Sequence, residues 1–137
     1  MSASTTGTVR DAIDAAAARL ATARIDTARL DARVLMAHVM ERDQAWLIGY
    51  GDEQLPTDAR ARYEELAARR ADREPIAYLT GVREFWSLEL SVNPDTLIPR
   101  PDSETLVETA LETAWTEKLR ILDLGTGSGI LSIVLAK

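Results

Sequence analysis

A chain of 137 residues, 46% hydrophobic and 28% charged, has the composition and size of one ordinary globular domain. It holds no cysteine and one histidine, which excludes a disulfide framework and a thiol nucleophile and leaves too few ligands for a zinc site. The net charge of −6 is spread without a basic stripe, with six Arg and six acids in residues 1–50, seven Arg and ten acids in 51–100, and three bases and six acids in 101–137, so direct binding of nucleic acid is not expected.

No run approaches the roughly 18 apolar residues of a membrane span, and the opening "MSASTTGTVRDA" lacks the apolar core of a signal peptide. The expected location is the cytoplasm. Alanine is abundant and large aromatics are few, which points to closely packed helices in the first half.

Thr8 stands where an N-cap belongs, and Val9, Ile13, Ala16, Ala17 and Leu20 follow at helical spacing. Asp26 or Thr27 caps a second helix to about Met40, with Leu30, Val34, Leu35 and Val39 expected inward. Its His38 is expected to pack at the helix edge rather than to act in catalysis. Asp43 opens a third, short helix that Gly51 stops.

The segment after Thr57 places Tyr63, Leu66 and Ala67 on a narrow apolar stripe. Glu64, Glu65, Arg69 and Arg70 are expected on its solvated face as weak ion pairs. Pro75 suits the first turn of a short helix ended by Gly81.

From Arg83 the period changes to two, with Phe85, Ser87, Glu89 and Ser91 set against Trp86, Leu88, Leu90 and Val92. This predicts a hairpin or two short strands turning near Ser87. "NPDTLIPRPD" holds three prolines and reads as a structured linker. Asp102 or Ser103 then caps a helix reaching Trp115, with Leu106, Val107, Ala110 and Leu111 expected inward. Trp46, Trp86 and Trp115 are too far apart to form a stacking platform and read as packing anchors.

The last segment, "LRILDLGTGSGILSIVLAK", reads as strand, glycine loop, helix. That order is the first half of a βαβ unit, whose ligands bind at the carboxyl ends of the strands. Gly125, Gly127 and Gly129 are spaced G-x-G-x-G, which departs from the dinucleotide fingerprint G-x-G-x-x-G, and no Gly-Lys-Ser/Thr follows to make a phosphate loop. A glycine-rich turn without a ligand remains the competing reading.

With Asp123 two residues before the first glycine, D-L-G-T-G-S-G resembles the first motif of class I S-adenosylmethionine-dependent methyltransferases. "REPIAYLTG", "REFWSLELSVNPDTLIPRPDSETLVE" and "ILDLGTGSG" follow one another as in one family, and "LDARVLMAHVMERDQAWLIGY" extends the likeness. On these motifs the chain resembles the release-factor glutamine methyltransferases, called HemK or PrmC. The resemblance implies methyl transfer from S-adenosylmethionine to the glutamine of a Gly-Gly-Gln motif in peptide-chain release factors.

It also implies an N-terminal α-helical bundle (1–81), a β-hairpin linker (82–101), and the beginning of an α/β Rossmann-like class I methyltransferase domain (102–137). Asp123, Gly125, Thr126, Gly127, Ser128 and Gly129 would hold the cofactor, with Arg100 against it. The usual Pro-Arg-Pro-Glu-Thr-Glu stretch carries Asp102 and Ser103 here in place of Glu and Thr.

The Asn-Pro-Pro-Tyr motif that holds the substrate amide in this family is not in the sequence, and Asn93-Pro94-Asp95 does not replace it. The expectation is therefore an N-terminal part of such an enzyme, with no catalytic residue of its own and weak or no binding of the cofactor alone. A ribosomal-protein glutamine methyltransferase, or an isolated helical protein-binding module, stays open as an alternative.

Overall fold

Thr8 Oγ1 accepts from Asp11 N at 3.1 Å while the Asp11 carboxylate accepts from Thr8 N at 2.9 Å, a reciprocal capping box that starts the first helix. In the computed structural model, which describes residues 7–113 and 120–136, this helix, α1, spans Val9–Thr22. The chain divides into two units, Met1–Thr80 and Gly81–Lys137.

The first unit continues with α2 (Ala28–Met40), α3 (Gln44–Gly49), α4 (Thr57–Ala71) and α5 (Ile76–Thr80). Its core joins Val9, Ile13 and Leu20 of α1 to Ala32, Leu35 and Met36 of α2 and to Tyr63 and Ala67 of α4. Small side chains at Ala12, Ala16 and Ala17 let the neighbouring backbones approach closely. Each fully buried Leu or Val adds about 1.5–3 kcal/mol of transfer free energy.

The first turn of α1 leaves N–H groups without helical partners, and the α3–α4 connection satisfies two of them. Val9 N donates to Glu53 O (2.9 Å) and Arg10 N to Gly51 O (2.8 Å). Gly51 is buried, and a Cβ there would stand 3.1 Å from Leu47 O.

Several burial expectations for this unit need correction. Leu30 is 58% exposed and Val34 only half-buried, because α2 turns Asp31, Ala32, Leu35 and Met36 inward instead. Thr27 is the N-cap of α2 but makes no side-chain cap bond, and His38 is exposed in its last turn. Arg69 and Arg70 do not pair with Glu64 or Glu65; Glu64 lies instead 4.0 Å from Arg60, one turn back on α4. Arg69 grips Glu74 through two hydrogen bonds, and Arg70 reaches Asp31.

The second unit opens with an antiparallel hairpin, β1 (Val82–Phe85) and β2 (Leu88–Ser91), in the register Val82↔Ser91, Arg83↔Leu90, Glu84↔Glu89 and Phe85↔Leu88. The two-residue turn at Trp86-Ser87 overturns the face assignment made as if alternation ran through it. Directly paired residues share a face, so Phe85, Leu88, Arg83 and Leu90 lie together. The helices α6 (Asp102–Glu112) and α7 (Ile130–Leu135) follow, and Phe85, Val107 and Val134 form the buried cluster.

Pro101, not Asp102 or Ser103, occupies the N-cap of α6. Only Val107 of its four expected inward residues is buried; Leu106 is 55% and Leu111 54% exposed, and Ala110 is half-buried. The strand expected over 119–124 does not form among the described residues 120–124. No neighbouring strand pairs with them, and Ile121, Leu122 and Leu124 are exposed. Trp115 lies outside the described residues.

Candidate functional site

The loop between Asp123 and α7 is shaped by three glycines in the left-handed region, Gly125 (φ +73°), Gly127 (φ +55°) and Gly129 (φ +76°). A Cβ at any of them would meet nothing within 4 Å. Glycine is therefore required here by backbone angle rather than by crowding from the chain's own atoms. The space beside each glycine is open, as a ligand lying against the main chain would need.

Two contacts fix the loop's ends. Ser132 Oγ donates to the Asp123 carboxylate at 2.9 Å, tying the residue before the loop to the first turn of α7. Gly129 N donates to Thr126 O at 2.8 Å and closes the turn from within. Gly125, Thr126, Gly127 and Ser128 are exposed, while Asp123 and Gly129 are half-buried.

Asp123 and the loop residues thus come together as one segment. Arg100 is exposed, with no side-chain hydrogen bond or ion pair among the described residues; its carbonyl accepts from Ser103 N (3.0 Å).

Sequence reasoning placed Glu104 at the positive N-terminal end of its helix but missed its contact with the hairpin. Its Oε1 accepts from Trp86 N at 3.0 Å, holding a hairpin turn in which Trp86 (φ +50°) and Ser87 (φ +57°) are both left-handed without being glycine. Such a conformation costs roughly 1–2 kcal/mol per residue, and the available signal was only an acid at the third position of α6. Also missed was Asp31, buried on α2, whose partner Arg70 additionally donates to Glu74 O (3.1 Å).

Among the described residues there is no cluster of His, Asp or Glu suited to a metal ion, and no helix is long and apolar enough to cross a membrane. Against known proteins, the family model described as the PrmC N-terminal domain matches residues 11–81. The chain belongs to the PrmC N-terminal domain family.

Proteins named release factor glutamine methyltransferase are similar to this chain. The Escherichia coli protein is 50% identical over 103 residues, 75% of this chain and 37% of its own length. That of Vibrio cholerae is 46% identical over 129 residues, 94% of this chain and 45% of its own, and that of Koribacter versatilis 41% identical over 131 residues, 95% and 47%. This PrmC-family chain spans less than half the length of these curated relatives.

Proposed function

We propose that this chain serves a protein-glutamine N5-methyltransferase that methylates the glutamine of the Gly-Gly-Gln motif in peptide-chain release factors, with S-adenosylmethionine as donor, in the cytoplasm. The observation that carries the reading is the G-x-G-x-G loop behind Asp123, with three left-handed glycines and open space beside each, in a PrmC-family chain. The matched stretch of 129 of 137 residues is too long to leave this loop out.

In this reading residues 1–81 recognise the protein substrate, 82–101 form the linker, and 102–137 begin a Rossmann-like cofactor domain. S-adenosylmethionine, when bound, supplies an electrophilic methyl group. The main chain at Gly125, Thr126, Gly127, Ser128 and Gly129 would hold it. Asp123 would offer a carboxylate to its cationic end, a favourable arrangement in a partly desolvated site, and Arg100 would help hold it. None of these residues takes the proton or attacks the methyl group; they bind and orient.

The exposed apolar side chains Leu106, Leu111, Ile121, Leu122 and Leu124 support the same reading, since helices and strands of an open α/β sheet bury such faces on further elements. The test is transfer of labelled methyl from S-adenosylmethionine by the protein spanning its relatives' full length. Purified release factor should accept label, and a Gly-Gly-Gln glutamine substitution should abolish it. Transfer that ignores the substitution removes the substrate assignment, and label on a ribosomal protein instead favours that related activity.

A further inference from the structure

On the first unit, Arg10 of α1 and Arg29 and Arg33 of α2 converge on one shallow concavity of about 180 Å³, floored by Ile13 and Leu47 and edged by Ile48. Residues 1–80 carry eleven arginines against thirteen acids, so three arginines and one acid, Asp14, around this hollow is a local concentration against the prevailing charge. Two of them already hold carboxylates of this chain: Arg29 Nη1 lies 2.7 Å from Asp14 Oδ1, and Arg10 Nε 3.0 Å from Asp52 Oδ1. Arg33 makes no ion pair or hydrogen bond among the described residues.

Beside it the apolar surface is uncovered. Ile48 is 69% exposed, and Leu30, also exposed, stands one turn from Arg33 on α2, outside the lining of the hollow. An arginine with a free guanidinium next to a bare aliphatic side chain, over the buried floor of Ile13 and Leu47, combines features enriched at interface centres.

We propose that this face docks an acidic segment of the release-factor substrate, one of whose carboxylates pairs with Arg33 while an adjoining aliphatic side chain covers Ile48. The identity of the partner rests on the proposed function; the face and its chemistry do not. A carboxylate-bearing protein is favoured over a nucleic acid because the fork of a guanidinium matches a carboxylate. A net charge of −6 also disfavours an extended polyanion more than a single carboxylate.

The test is calorimetric titration of purified release factor into the 137-residue chain and its variants, each first checked for native helical circular dichroism. Arg33→Glu should weaken binding at least tenfold and Ile48→Ser severalfold, whereas Arg33→Lys should recover part of the loss and Arg62→Glu, on the exposed side of α4, should bind as the parent does. Raising salt should weaken the parent more than Arg33→Glu.

Binding equally strong in Arg33→Glu and Ile48→Ser, no binding by the parent chain, or Arg33-dependent binding of an RNA or DNA oligonucleotide in place of the release factor would each overturn the proposal. Methyl transfer to release factor by the full-length protein is read separately. If it persists while the Arg33 and Ile48 variants bind normally, this surface is wrong and the enzyme reading stands; if it is absent, the enzyme reading fails on its own.

Discussion

Arg70 on α4 places Nε 2.7 Å from Oδ2 of Asp31 on α2, and Asp31, 6% exposed, is the single buried charged residue among those described. The pair clamps two helices across 39 positions of sequence. Removing one partner leaves the other charge desolvated and unpaired. Arg70→Met should therefore destabilise the chain by about 3 kcal/mol, the low end of the range for buried pairs. Asp31→Leu combined with Arg70→Met should cost less than Arg70→Met alone, as read by urea unfolding followed at 222 nm.

Tyr63 is 1% exposed, and its hydroxyl donates to Ala32 O at 3.0 Å. Burial pushes the phenol's pKa up, with Asp14 adding to it. Tyr63→Phe should cost about 1 kcal/mol, that of one buried hydrogen bond whose acceptor loses its donor. The raised pKa means that stability is complete below the ordinary phenol range and declines as pH rises through the folded value, and the alkaline decline should shrink in Tyr63→Phe.

The capping box gives an acid-side counterpart. Hydrogen bonds from the Thr8 backbone and side chain hold the Asp11 carboxyl below its ordinary value of 3.8, and the Arg69 side chain does the same for Glu74. Depressed carboxylate values contribute stability above the unfolded pKa that is lost as pH falls through the folded one. Thr8→Ala should lower stability by about 1 kcal/mol near neutrality. It should also flatten the fall between pH 5 and pH 2, roughly the carboxylate range, in thermal melts taken across that interval.

At the hairpin tip the strained residue with least packing is Ser87, exposed at φ +57°. Ser87→Gly should stabilise the second unit by about 0.5 kcal/mol, the left-handed penalty less the entropy that glycine adds to the unfolded chain. Glu104→Ala, which removes the acceptor from Trp86 N, should act in the opposite sense. Hydrogen exchange of the β1 and β2 amides distinguishes the two, slowing in the first and quickening in the second.

Gly127 carries φ +55° with nothing within 4 Å of a Cβ. Gly127→Val should strain the loop and place a branched side chain over its main chain. In the protein of full family length it should abolish binding of S-adenosylmethionine, measured by calorimetry, while the helical unit melts unchanged. Retained donor binding would move the cofactor away from this loop.

Local patterns were legible wherever one helix turn or one short motif carried the information. Thr8 with Asp11, the apolar stripe from Val9 to Leu20, Asp43 accepting from Trp46 N, and Gly81 at φ +75° after α5 all follow from spacing and cap chemistry. The hairpin was legible as a change of period, but its faces were not, since a two-residue turn puts Phe85 and Leu88 on the same side. The glycine loop was legible as a motif, and its tie from Ser132 to Asp123 was not.

The order of residues was by itself enough to set the helices of the first unit, the place of the hairpin and the family, because each depends on neighbours within a few positions or on a motif read in line. Which face each element turns inward was decided only by the assembled chain. Asp31 is buried and Leu30 bare because Arg70 arrives from another helix to neutralise the acid, and the arginines around Ile48 meet because α1, α2 and α3 pack together. Burial of charge and convergence of distant side chains depend on distances through space, which spacing along the chain does not encode.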